Sequence, residues 1–108
     1  VALVVLLDQF PRNLFRGSAA AFAHDARALA IARRLVASGL APFALIERLF
    51  LAIPFEHSES LPDQDIAVWL MAGIAVYLHR LSDLLSAIAR IMARGNGQEE
   101  TTWRHDRD

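Results

Sequence analysis

Cysteine is missing from the chain altogether, which removes disulfides, thiolate metal sites and a thiol nucleophile in one step. Lysine is missing as well. All eleven basic residues are arginine, a pattern that records a GC-rich, bacterial-looking coding bias more than eleven separate demands for a bidentate donor. Excess charge of either sign is also lacking: the net charge is −1 and the pI is about 6.5, so no broad nucleic-acid footprint is expected. Hydrophobic residues make up 55% of the chain, which excludes intrinsic disorder as its general state. No Gly-rich phosphate cradle and no basic stripe with interleaved aromatics occurs, and no cofactor is expected. Small molecules or other proteins are the expected partners.

Long hydrophobic runs are few. The longest, Ile66 to Leu78, has thirteen residues, short of the roughly 20 needed to cross a bilayer, so no membrane partner is expected. The opening "VALVVLL" has no basic stretch before it and no small-residue cleavage site after it, unlike a signal peptide. These features, with the lack of cysteine, fit a reducing cytoplasm. The chain starts at Val1, already inside an apolar run, and is expected to be a piece of something longer. At 108 residues it has room for one modest core.

Leucine and alanine dominate, glycine and proline are few, and alternating strand patterns are absent apart from a brief β-branched start, which predicts an all-α chain. Helix one is expected to end at Gln9 or Phe10, stopped by Pro11. Ser18 can cap a short turn over "AAAFAH", and Asp25 can cap a second helix that ends at Gly39. Leu29, Ala32, Leu35 and Val36 share one face of it, and Arg27 and Arg34 another. A third helix takes Pro42 in its first turn and Leu45, Ile46, Leu49, Ala52 and Ile53 as its apolar stripe, up to Pro54. Ser60 and Asp63, with Pro62 in the first turn, resemble a capping box for a fourth helix that ends at His79 and Arg80. Its body, "IAVWLMAGIAVYL", is apolar on all sides and is expected to be buried in the fold or against another copy. Leu81, Leu84, Leu85, Ile88, Ile91 and Met92 mark a fifth helix, stopped by Gly95. About five helices in antiparallel hairpins suggest a bundle or short solenoid, with one domain over residues 1–94 and a flexible polar tail over 95–108.

Two polar clusters interrupt the apolar pattern. Asp8, Gln9, Arg12, Asn13 and Arg16 can form a hydrogen-bonded clamp that fixes the direction of the chain, since a guanidinium bridges a carboxylate and free helix-end carbonyls. Alternatively, Arg12 and Arg16 present a fork for a carboxylate or phosphate, with Asn13 orienting it. The second cluster is Glu56, His57, Ser58 and Glu59, followed by Asp63 and Asp65. Its plain reading is a solvated corner whose acids favour the positive end of helix four. Its chemical reading makes His57 an acid or base, oriented by Glu56 or Glu59. Metal ligation is not expected, because neighbouring loop residues seldom converge on one ion and the HExxH spacing is absent. His24 suits a helix entry, Trp69 and Tyr77 suit the core, and nothing organises Trp103 and His105 in the tail.

The strings "LLDQFPRNLFRGSAAAFAHDARALAIARR" and "ERLFLAIPFEHSESLPDQDIAV" resemble the bacterial DUF924 family, an uncharacterised group of all-helical proteins with tetratricopeptide-like folds. The resemblance runs from about Ala2 to Val68 and implies hairpins packed in a right-handed manner. Asp8, Gln9, Phe10, Pro11, Arg12, Asn13, Arg16, Gly17, Glu56, His57 and Glu59 match the family's characteristic letters. These are the residues of the two polar clusters, which suggests that the clusters face each other across one groove. Two departures stand out: the family's upstream aromatic-rich segment is missing, and after Arg80 the chain reads "LSDLLSAIARIMARGNGQEETTWRHDRD" where the family has a Phe-Gly-Arg-Phe-Pro-His-Arg-Asn-like stretch. Two functions follow as expectations. One is a helical interaction module that holds a peptide or partner helix in that groove and self-associates through its apolar helices. The other is a small hydrolase-like or metal-assisted enzyme using His57 with Glu56 and Glu59 opposite Arg12 and Arg16.

Overall fold

A computed structural model describes residues 1–97. The fold class is all-α: α1 spans Ala2–Leu14, a 3-10 turn Ala19–Phe22, α2 Asp25–Ala37, α3 Leu45–Glu56 and α4 Leu61–Gly95, with no strand among the described residues. The expected flexible tail, with Trp103 and His105, lies outside them from residue 98 onward. One compact unit comprises Val1–Ala75, and a second begins at Val76.

The first unit is organised around Val4 of α1, Ala32 of α2, Leu51, Ala52 and Phe55 of α3, and Ala67 and Leu70 of α4. Leu51 and Phe55 are the largest apolar side chains sealed in it, each contributing on the order of 1.5–3 kcal/mol by leaving water. Ala28 and Ala32 of α2 are fully buried, and their small side chains let α1 and α3 approach closely on that face. Leu29, Leu35 and Val36 pack around this centre as their spacing predicts. On α3 the buried set is Leu51, Ala52, Pro54 and Phe55, whereas Ile46 of the expected stripe is exposed. The helix therefore turns its C-terminal half inward.

Proline does not stop the helices as expected. Pro11 lies inside α1 and Pro54 inside α3, each in or near the last turn. A proline there removes one backbone hydrogen bond, and both rings are buried, so packing offsets the lost bond. The α1 C-terminus is also stitched by side chains, described below. Pro42 sits ahead of α3, outside its first turn, and the Glu47 carboxylate accepts from the Ala44 backbone N–H at 2.8 Å to close that helix end. Asp25 is the first residue of α2 and His24 its cap, again one position from expectation. Ser18 does cap the 3-10 turn, accepting from the Ala20 N–H at 3.2 Å, and Gly39 follows α2 at φ +103°, a conformation that suits glycine.

The expected fourth and fifth helices are one. No proline and only Gly73 interrupts Ile66–Arg94, so nothing stops α4 at His79 and Arg80, and His79 instead approaches Asp83 one turn on at 3.5 Å. Nor is the apolar body of α4 covered on all sides. Asp63, Ala67 and Leu70 are its buried residues, while Val68, Trp69, Val76, Tyr77 and Leu78 are exposed. By length and composition α4 is long and apolar enough to cross a membrane, its most apolar window having a mean hydropathy of 1.3. Beyond Val76 the second unit carries Leu84, Leu85, Ile88, Ile91 and Met92, all exposed.

Candidate functional site

α1 and the end of α3 meet at the Asp8 carboxylate, and Arg12 links it to Asp25, the first residue of α2. Asp8 is buried, with 2% of its side chain exposed, and its oxygens accept from Gln9 Nε2 at 2.6 Å, Arg12 Nη1 at 3.1 Å and His57 Nδ1 at 3.0 Å. Arg12 follows Asp8 by one helical turn and so shares its face. Its Nη1 also donates to the Asp8 carbonyl at 2.9 Å, one turn back along α1. Both terminal nitrogens of Arg12 donate to Asp25, each at 2.8 Å, in the parallel geometry that makes arginine–carboxylate pairs strong. The guanidinium also lies 5.4 Å from the centre of the Phe22 ring. The position of each charge suits the helix dipoles, Arg12 at the end of α1 and Asp25 at the start of α2.

His57 is the residue that ends α3. A carboxylate oxygen that already accepts from Arg12 is an acceptor toward the ring too, so Nδ1 carries the shared proton. Nε2 is then the nitrogen left over, and among the described residues it has no hydrogen-bond partner. The ring is 29% exposed. The structure thus brings together Asp8, Gln9, Arg12 and His57 from the two strings, and adds Asp25. Asn13 and Arg16 lie outside this knot: Asn13 Nδ2 donates to the Gln9 carbonyl at 3.0 Å, and Arg16 Nη2 donates to Asn13 Oδ1 at 3.2 Å, both exposed. Glu56 and Glu59 do not reach His57, whose partner is Asp8 instead; their carboxylates form no hydrogen bond or ion pair among the described residues. The geometric reason is that the His57 ring reaches back to Asp8 of α1, while Glu56 and Glu59 are exposed.

A second knot fixes the start of α4. Asp63 is buried and accepts from Arg33 Nη2 at 2.5 and 2.6 Å and from Ser58 Oγ at 2.7 Å. Hydrogen bonds from Arg33 and then Ser58 hold its carboxyl below the ordinary value of 3.8, with the Arg33 charge adding to them and burial opposing. Asp63 therefore ties α2 to α4 and does not close a capping box with Ser60. Gln64 Nε2 donates to the Ser58 carbonyl at 3.0 Å, and Ser58 Oγ accepts from the Ser60 N–H at 3.2 Å. Sequence reasoning missed Arg33 and the ion-pair role of Asp25. Arg33 borders the apolar stripe of α2 one turn after Leu29, and that placement is the available signal.

An open cavity of about 790 Å³ lies beside this knot, lined by Glu56 and Gln64 and by Ala67, Val68, Met71, Ala72 and Ala75 of α4. Glu56 is the residue of the two strings that reaches it. Among the described residues no group of three or more His, Asp or Glu side chains is arranged to hold a metal ion, and every buried polar side-chain atom has a hydrogen-bond partner.

No curated protein and no solved structure matches the chain. A family model does, and it extends well past Val68, where the visible resemblance of the strings ends. That model, described as "Bacterial protein of unknown function (DUF924)", matches residues 1–106, and the chain belongs to this family.

Proposed function

We propose that the chain is a helical protein-interaction module, with tetratricopeptide-like stacking of α1, α2 and α3, that accepts the apolar side chains of a partner helix. The single observation that carries this reading is the cavity on α4: its lining is aliphatic apart from Glu56 and Gln64. Such a trough suits helix-in-groove recognition, in which apolar side chains at successive helical turns enter and a polar rim sets orientation. Glu56, which has no hydrogen-bond or ion-pair partner among the described residues, favours a basic residue on the bound helix. The Asp8–Arg12–Asp25–His57 knot supports this surface by fixing the end of α3 from which Glu56 projects. Because both forks of Arg12 are engaged, it serves as a clamp rather than as an anion receptor.

Selection of displayed amphipathic helical peptides against the purified chain tests the reading. Peptides with basic residues beside the apolar stripe are expected to bind, and Ala75→Arg, which fills the cavity from an exposed lining position, is expected to abolish binding. Failure to select any helix, or equal binding to the Ala75→Arg variant, would refute it.

The 3.0 Å contact between Asp8 and His57 favours a second reading, acid–base chemistry at Nε2. A buried carboxylate that orients a half-exposed imidazole is one arrangement used by hydrolases. It predicts hydrolysis of an activated ester or phosphate that is lost in His57→Gln; rates that are the same in both proteins exclude it.

A further inference from the structure

We propose that the partner helix is α1 of a second copy of this chain, which lies along the cavity antiparallel to α4 with its Arg16 against Glu56. The inference rests on the interaction-module reading and names its partner. Every residue it uses belongs to the unit Val1–Ala75.

α1 carries an apolar ridge on its solvent side. Leu3, Leu6, Phe10 and Leu14 recur at steps of three and four, and each is close to half exposed or more. The inward face is a different one, formed by Val4, Leu7, Asp8 and Pro11. Both charged residues of α1 are engaged in the knot, Asp8 with His57 and Arg12 with Asp25, so no free charge borders the ridge. A contiguous apolar row of this kind marks a surface that meets another protein. The cavity has a matching form. Its lining from α4 is Gln64, Ala67, Val68, Met71, Ala72 and Ala75, again at steps of one helical turn, and three of the six are alanine. Leu3 to Leu14 and Gln64 to Ala75 both cover eleven steps, about 16 Å of helix, so ridge and trough agree in length. Large side chains on one and small ones on the other suit interdigitation.

Charge fixes the direction. Gln64 is tied at 3.0 Å to the carbonyl of Ser58, two residues past Glu56, so the polar lining lies toward the start of α4. Glu56 has no hydrogen-bond or ion-pair partner among the described residues. The cation nearest the ridge is Arg16, two residues after Leu14, exposed and held by the exposed Asn13 Oδ1 at 3.2 Å. Placing Arg16 against Glu56 runs α1 opposite to α4, which also sets the negative end of α1 beside the positive start of α4.

Sedimentation over a concentration series, combined with mixing, tests the pairing. The wild-type chain is expected to self-associate. Leu6→Asp, which puts a carboxylate on the ridge, and Ala75→Arg, which fills the trough, are each expected to weaken association at least about tenfold. Mixed together, the two variants are expected to form a one-to-one pair, because the first keeps its trough and the second its ridge. Glu56→Arg is expected to weaken self-association about threefold or more, and the combined E56R/R16E chain to recover it. Circular dichroism checks the helical content of each variant. Should Leu6→Asp fail to fold, Leu3→Asp replaces it, since an acid in the first turn suits the helix dipole. A wild-type monomer at every concentration, a mixture that stays monomeric, an Ala75→Arg chain that self-associates as the wild type does, or absence of charge rescue would each overturn the proposal. Leu6→Asp retains the cavity, so its capture of selected helical peptides is a separate readout. Peptides that bind it while the wild type stays monomeric remove the self-pairing and leave the module reading, whereas absence of any binding peptide counts against the module reading itself.

Discussion

Replacing Asp8 with alanine tests the knot directly. The substitution removes the acceptor shared by Gln9, Arg12 and His57, at 2.6, 3.1 and 3.0 Å. Hydrogen bonds to a charged group contribute about 1.5–3 kcal/mol each when their loss leaves a donor unmet. Two of the three donors do not stay unmet: the His57 ring is 29% exposed and Gln9 is half-buried, so water replaces Asp8 for both. Arg12 retains its paired contact with Asp25. What remains is a vacated carboxylate site beneath half-exposed donors, and the expected destabilisation is about 2–3 kcal/mol, toward the lower end for broken charge pairs. In a unit of this size that corresponds to a fall in Tm of about 8–20 °C. Urea and thermal unfolding, followed by circular dichroism, measure both quantities. A double-mutant cycle with His57→Ala isolates the cross-helix contact, expected to couple by about 1 kcal/mol. An Asp8→Ala protein within about 0.5 kcal/mol of wild type, or a cycle with no coupling, would refute the clamp.

Acid sensitivity should reside in the other knot. The Asp63 carboxyl is depressed in the folded state by Arg33 and Ser58, so its stabilising contribution is complete well above 3.8 and is lost as the pH falls through that value and below it. Unfolding measured from neutral pH down to about pH 3 should therefore show a decline that Asp63→Asn flattens; an unchanged slope in the variant counts against the assignment. Phe55 is 1% exposed at the centre of the first unit, and Phe55→Ala is expected to cost about 3–5 kcal/mol in urea unfolding, whereas a loss below about 1 kcal/mol would place the core elsewhere.

The helical class and the inward face of α2 were readable from residue spacing, because Leu29, Ala32, Leu35 and Val36 repeat at the period of a helix. The helix ends were less readable. Pro11 and Pro54 are strong local breakers, but local preference yields where tertiary burial and side-chain bonds compensate, and sequence alone does not reveal that burial. The break expected at His79 and Arg80 rested on polarity without a glycine or proline to enforce it, and α4 continues through it. At the candidate site, the two strings were recognisable as chemically dense, and Asp8 and His57 do meet. The identity of the partner was not readable, since proximity in sequence pointed to Glu56 and Glu59 while the contact joins residues forty-nine positions apart. Arg33 escaped notice for the same reason, its partner Asp63 lying thirty positions away.

The uneven anchoring of α4 has a further consequence. Its first turns are fastened by Asp63, Ala67 and Leu70, but its later turns are mainly exposed and depend on backbone bonds, intrinsic propensity and exposed side-chain contacts such as that of His79 with Asp83. Amide protons along this one rod should accordingly exchange with solvent on two clocks, slowly where the core grips it and quickly toward Gly95, unless a neighbouring molecule closes over it. A helix built in this way can wait half-melted and become rigid at the moment of capture, so that ordering and recognition are a single event.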